Sequence, residues 1–292
     1  MSFRSGFVSI IGRPNAGKST LLNSVLGEKI SIVSPKPQTT RNVVRGIKNL
    51  EDCQMVFIDT PGIHKGKGLL NERMVREAVA SLKDVDAVVL LIEADRPVTD
   101  EDRHIINSLK GLKCPVLLGV NKVDKIDKRQ ILPLIDEYSK IYAFKEVIPL
   151  SALKGEGMEL LVSTLSALMP EGPKYFPDDV LTDVPERFIV AEIVREKVFL
   201  FAREEIPYSV AVVVDKFVEK KGLISITATI NVERESQKGI IIGKGGAMLK
   251  KIGISAREEI EKLLGSKVFL ELFVRVQKEW TKKPGALKEF GY

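Results

Sequence analysis

Eight residues near the N-terminus, Gly12-Arg13-Pro14-Asn15-Ala16-Gly17-Lys18-Ser19, constrain this chain more than any other stretch. They fit the spacing G-x-x-x-x-G-K-S/T and lie between an apolar, β-branched run, Phe7–Ile11, and a segment with helical patterning that opens at Lys18. A strand that turns through glycines into a helix points backbone N–H groups inward at the positive helix end, where phosphate oxygens are held. Lys18 is placed to neutralise β- and γ-phosphates, and the Ser19 hydroxyl, with Thr20 next to it, to hold Mg²⁺. The plain alternative is a glycine turn before an ordinary helix, and the strand–loop–helix context argues against it.

The surrounding pattern agrees. Phe7–Ile11, Val43–Ile47, Met55–Ile58, Ala87–Ile92, Val116–Val120 and Val147–Leu150 read as strands. Helical patterns begin near Lys18, Asn71, Asp100, Lys128 and Gly157. Runs 87–92 and 116–120 are apolar at consecutive positions, as in strands covered on both faces of a mainly parallel sheet. Residues 1–169 are therefore expected to form an α/β, doubly wound domain.

Three further motifs fall at strand ends in chain order. Asp59-Thr60-Pro61-Gly62 offers a carboxylate for Mg²⁺ through water and the Gly62 N–H for the γ-phosphate. Asn121-Lys122-Val123-Asp124 places a carboxylate where it accepts from N1–H and the 2-amino group of guanine, which adenine lacks. A buried polar pairing of this kind discriminates strongly, so Asp124 selects GTP over ATP. Ser151-Ala152-Leu153 follows the last strand, where a backbone N–H meets guanine O6. Together the four motifs resemble the Ras-like P-loop GTPases over residues 1–169. The GTP-binding set is then Gly12 to Thr20, Thr39, Thr40, Asp59 to Gly62, Asn121, Lys122, Asp124 and Ser151 to Leu153.

The resemblance also bears on hydrolysis. Gln38-Thr39-Thr40-Arg41 lies where such proteins keep switch I, with Thr40 the first choice and Thr39 the second for Mg²⁺ and the γ-phosphate. The metal set is Ser19, Thr40 and Asp59; the catalytic set is Lys18, Thr40, Gly62 and Asn15. Many relatives place Gln or His directly after D-x-x-G to orient water. Here Ile63 stands there, and His64 follows one place later. Pro14 obstructs an arginine finger. Asn15 resembles the residue that holds K⁺ in cation-dependent GTPases, so K⁺ is a candidate cofactor beside Mg²⁺.

Residues 170–185, with Pro170, Pro173, Pro177 and Pro185, sustain neither a helix nor a central strand and read as a linker. Beyond it, 186–292 carries a different order. A helix over 186–203, strands at Tyr208–Val218 and Leu223–Val232, a short helix at Ser236–Ile242, a helix to Leu264 and a strand at Val268–Val276 precede a C-terminal tail. Between the two central helices lies Ile242-Gly243-Lys244-Gly245-Gly246. This α-β-β-α-α-β order with a G-x-x-G loop resembles the type II K-homology (KH) domain, a smaller α+β fold that clamps single-stranded RNA. Lys238, Ile242, Gly243, Lys244, Gly245, Gly246, Lys250 and Lys251 are its candidate RNA-binding residues.

The whole chain, with V-E-R-E-S-Q-K before the glycine loop and Phe290-Gly291-Tyr292 at its end, resembles the Era family of bacterial GTPases. That resemblance implies a GTP/GDP switch acting in 30S ribosomal subunit assembly near the 3′ end of 16S rRNA. It also implies a monomer in the cytoplasm with some peripheral membrane association.

Composition sets outer limits. The 292 residues carry a net charge of +6, and the 122 from Glu171 onward hold 21 basic against 19 acidic residues. An RNA surface must therefore be a local patch, and Gln237–Ala256 supplies one, with four lysines and no acid. Cys53 and Cys114 allow one disulfide at most, and the opening strand leaves no room for a signal peptide. Three rivals remain: a P-loop kinase or ATPase, an RNA-binding scaffold with a structural nucleotide, and a GTPase of tRNA modification or membranes.

Overall fold

The computed structural model describes every residue except Met1, Pro37, 64–67 and 203–205, so the expectation placed on His64 lies outside the described residues. Two compact units emerge, one running to Asp183 and one from Val184 to Tyr292 that also takes in short segments at 32–39 and 68–71.

The first unit is a six-stranded sheet in the order β2-β3-β1-β4-β5-β6. Its strands are β1 (Arg4–Gly12), β2 (Val44–Asn49), β3 (Cys53–Asp59), β4 (Ala87–Glu93), β5 (Val116–Asn121) and β6 (Glu146–Pro149). Only β2 pairs antiparallel, against β3. Every residue of β3, β4 and β5 is buried, which is why these strands read as continuous apolar runs. Helices α1 (Lys18–Leu26), α2 (Leu69–Ala80), α3 (Asp100–Leu109), α4 (Ile131–Ser139) and α5 (Met158–Leu168) connect the strands. The helix expected from Lys128 begins instead with a 3₁₀ turn, Lys128–Gln130, whose cap Asp127 accepts from the Arg129 N–H. The sheet's order reverses at β1, and chain segments diverge there to β3 and β4, opening a crevice at the strands' C-terminal ends.

The proline-rich stretch is extended, as its composition dictates, but it is fastened to this unit. The Ser5 N–H donates to Pro170 O, Gln54 Oε1 accepts from Tyr175 and Phe176 N–H, and the Ile47 N–H donates to Leu181 O.

In the second unit, α6 (Glu186–Phe201), α7 (Glu235–Ile242) and α8 (Ala247–Leu264) accompany a three-stranded sheet ordered β7-β8-β9. Strand β7 (Ala211–Lys220) forms a hairpin with β8 (Leu223–Val232) through Gly222 at φ +79°, and β9 (Lys267–Val276) lies parallel to β8. A parallel neighbour needs a crossover, and α7 with α8 provides it. Ile226, Ala228, Ile230 and Val232 point to one side of β8 and join Val194, Val198, Ile252 and Ala256 of the helices in a shared core. Strand β7 begins three residues later than expected because Ile206–Ser209 closes a 3₁₀ turn, with the Ser209 hydroxyl on Ile206 O. The tail is ordered too. Helix α9 (Pro284–Glu289) brings Phe290 and Tyr292 onto buried Trp280, whose indole N–H donates to Ser209 O at 2.9 Å.

Candidate functional site

The loop from Gly12 to Ser19 joins β1 to α1, and sterics explain its glycines. A Cβ on Gly12, at φ +152°, would lie 2.3 Å from Leu91 O, and one on Gly17, at φ +100°, 2.3 Å from Asn121 Nδ2. Asn15 also has positive φ, +66°, which asparagine tolerates better than most residues. Lys18 folds back under the loop, its Nζ 3.1 Å from Gly12 O and 2.9 Å from Arg13 O. Burial lowers its pKa to about 8 against the pull of Asp59 and Glu93, so this ammonium is short of counter-charge. Triphosphate oxygens would supply it.

Around the end of β3, four side chains converge. The Ser19 hydroxyl donates to Asp59 Oδ2 at 2.7 Å and lies 2.7 Å from Thr40 Oγ1, while Ser31 Oγ donates to the same Asp59 oxygen at 2.9 Å. Asp59 is fully buried, its Oδ1 has no hydrogen-bond partner, and desolvation raises its pKa despite nearby Lys18. A buried carboxylate with an orphaned oxygen beside two hydroxyls suits a hard divalent cation, so these residues fit Mg²⁺. Of the two switch threonines, the structure brings Thr40 here. Thr39 Oγ1 turns to Ser34 Oγ and Lys36 O instead.

Thr60 Oγ1 donates to Ile10 O, and the chain passes through Pro61 so close to the loop that a Cβ on Gly62 would sit 2.6 Å from Pro14 N. Ile63 is buried in the core, so it offers the reacting centre nothing. The base-recognition motifs interlock: Asn121 Nδ2 donates to Ala16 O at 2.8 Å, and its Oδ1 accepts from the Ala152 N–H at 2.9 Å. Asp124 Oδ1 accepts from Ser151 Oγ at 2.6 Å. Leu153 is exposed. Thr20 lies within α1, one residue past Ser19.

Sequence reasoning missed a hub beneath the loop. Arg13 turns its guanidinium away from the phosphate cradle, to Thr99 Oγ1 at 2.9 Å, Asp102 at 3.3 Å and Glu93 at 3.9 Å. Glu93, at the end of β4, also holds Lys122, whose Nζ donates to Asn15 O at 2.7 Å. Asp102 caps α3 in a box with Thr99. One buried carboxylate thus ties the phosphate loop to the base-recognition motif.

In the second unit, Gly243, Gly245 and Gly246 all have positive φ between α7 and α8. A Cβ on Gly243 would meet Met248 Cβ at 2.7 Å, whereas Gly245 and Gly246 face open space. Lys244 and Lys250 are exposed, and Ile242 is half-buried. Lys250 and Gly246 border an open groove of about 520 Å³ between α8 and β9. Lys238 borders another of about 560 Å³ beside Phe273 and Arg275. Lys251 is set apart, its ammonium 4.3 Å from the Phe201 ring centroid.

Comparison with known proteins matches two family models to separate parts of the chain. Residues 7–122 match a family described as 50S ribosome-binding GTPase, and residues 205–281 match the KH domain. The chain is 60% identical to the GTPase Era of Geotalea uraniireducens, over 99% of this chain and 98% of that one. It is 58% identical to that of Geobacter metallireducens, with the same coverage. Two crystal structures match with TM-score 0.96 and 44% identity, each over 99% of both chains. One is Era in complex with MgGDPNP and nucleotides 1506–1542 of 16S ribosomal RNA. The other is a point variant of Aquifex aeolicus Era bound to GDP and AlF₄⁻. Identity at this level along nearly the full length of both chains shows that the chain belongs to the Era family of GTPases.

Proposed function

We propose that this protein is a GTP-hydrolysing switch that binds the 3′ end of 16S rRNA during 30S subunit assembly in the cytoplasm. The convergence of Lys18, Ser19, Thr40 and the half-satisfied Asp59 carries the GTPase part. Lys18 neutralises β- and γ-phosphate charge, Asp124 reads guanine, and the Gly62 N–H meets the γ-phosphate. Ser19, Thr40 and Asp59 would hold Mg²⁺, which would offset charge developing on the phosphates. The relative crystallised with 16S nucleotides 1506–1542 supports the RNA part, and the exposed Lys244 and Lys250 at the glycine loop are the residues we assign to it. Multiple-turnover GTP hydrolysis, with RNA crosslinked in cells mapping to the 16S 3′ end, is the expected result. Crosslinks concentrated on tRNA would favour the rival reading.

A finer part concerns the attacking water. With Ile63 buried, Asn15 would hold K⁺, which would take up charge developing on the phosphates much as an arginine finger does. The resemblance of Asn15 to the residue that holds K⁺ in cation-dependent GTPases supports this. Turnover in K⁺ should exceed turnover in Na⁺ at matched ionic strength, and equal rates would remove the cation from the account. The monomeric state and a peripheral contact with the inner face of the membrane complete the proposal on the resemblance alone. No described helix is long and apolar enough to cross a membrane.

A further inference from the structure

The sheet of the second unit has a face turned away from its helices. Side chains alternate along a strand, so with Ile226, Ala228 and Ile230 in the core, the residues paired with Ser225, Thr227 and Thr229 share the opposite side. On β9 those partners are Phe269, Glu271 and Phe273. Both phenylalanines are more than half exposed, at 52% and 55%. Neither is needed to close the core, yet they stand on one face about 13 Å apart at strand spacing.

Charge on this face is one-sided. Lys216 and Lys220 of β7 and Lys267 and Arg275 of β9 share it, against Glu271 among the paired residues; Asp215, at the β7 bulge, accepts from Thr229 Oγ1. The face is also continuous with the glycine-loop site. Strand β9 is the sheet edge, Phe269 stands at the rim of the groove that begins at Gly246, and Phe273 borders the groove that holds Lys238. Aromatic rings on a sheet with a basic rim are how sequence-tolerant single-strand binders stack bases and follow a backbone.

We propose that this face is a second RNA contact. Unpaired bases leaving the glycine-loop groove cross β9 and stack on Phe269 and Phe273, with Lys216, Lys220, Lys267 and Arg275 receiving phosphates. The inference rests on the RNA-binding reading above and extends its footprint, since a glycine loop clamps only about four nucleotides.

The test uses the full chain and two probes, 16S nucleotides 1506–1542 and a single-stranded RNA of about six nucleotides sized to the groove alone. The variant Phe269→Ala/Phe273→Ala, checked for folding by circular dichroism, should lose roughly tenfold or more on the long RNA and markedly less on the short one. Phe269→Trp/Phe273→Trp should keep long-RNA affinity, with fluorescence quenched by the long probe and not by the short. A folded alanine variant that binds the long RNA as tightly as the parent overturns the inference. Equal loss on both probes also does, by assigning the rings to the groove itself. A parent that binds neither RNA overturns the RNA reading and this inference with it.

Discussion

Both units are built to meet phosphate, and they do so by opposite physical means. Around the nucleotide loop the polar and charged groups are buried and held: Lys18, Asp59, Glu93 and Asn121 are each at most 6% exposed, and, apart from Asp59 Oδ1 and Glu93 Oε1, their polar atoms are tied into backbone and side-chain hydrogen bonds. Around the glycine loop of the second unit, Lys244 and Lys250 stand in water, and Gly245 and Gly246 face open space. A desolvated network rejects a wrong partner because any unmatched group stays unpaired in low dielectric. An open, basic surface accepts many sequences, and its strength depends on released counterions. The difference teaches which ligand each site can afford to select: a single small molecule in one, a flexible polymer in the other.

The comparison breaks first at Asp124. Asp124→Asn exchanges an acceptor for a donor opposite the guanine 2-position and removes charge-assisted hydrogen bonds worth roughly 3 kcal/mol or more. GTP affinity should fall about a hundredfold or more, with preference shifting to xanthosine triphosphate; calorimetry with both nucleotides checks it. Unchanged GTP affinity would remove the guanine assignment.

Glu93 tests whether the network beneath the loop matters as a unit. Glu93→Gln keeps the shape while leaving Arg13 and Lys122 short of counter-charge in a buried place. Stability should drop by about 2 kcal/mol, as read by chemical denaturation. Nucleotide affinity should fall severalfold as the Lys122 contact to Asn15 loosens. A variant as stable as the parent would show that the hub carries no weight.

A third effect concerns pH. Folded Lys18 has its pKa lowered to about 8 from 10.5, so between these values the unfolded chain binds more protons and the apoprotein gains stability as pH rises. Nucleotide binding runs the other way, because phosphates favour the charged ammonium. GTP affinity should decline by up to about tenfold per unit above about pH 8. Affinity flat across that window would mean that Lys18 is not the group the phosphates neutralise. RNA affinity of the exposed lysines should not share this decline.

Much of the nucleotide site was legible because its motifs encode backbone shape. Glycines at 12 and 17 and the spacing to Lys18 demand a strand–loop–helix turn whatever surrounds them. The choice between Thr39 and Thr40 was not legible, since it depends on which hydroxyl faces Ser19. Nor was the role of Glu93 and Asp102, which reach Arg13 from the end of β4 and the cap of α3, remote in sequence. The stretch 170–185 showed that it is neither helix nor central strand. Its fastening to the first unit runs largely through backbone atoms that leave no side-chain signature. The fold of the tail was not legible for a related reason: α9 spans six residues, too few for a periodic pattern, and Trp280, Phe290 and Tyr292 form a cluster only once folded.

The central claim is that one chain holds two phosphate sites, a closed one for GTP and an open one for RNA, and one double variant tests it most directly. Lys244→Asp/Gly245→Asp puts two carboxylates where an RNA backbone must approach, while Gly245 has room for a side chain and only its φ of +59° is strained. A labelled 16S 3′-end RNA is titrated at several salt concentrations, and GTP affinity is measured on the same samples, with circular dichroism confirming the fold. The account predicts a large loss of RNA affinity, a shallower salt slope and unchanged GTP affinity. A folded variant that binds the RNA as tightly as the parent, or that loses GTP together with RNA, would contradict it.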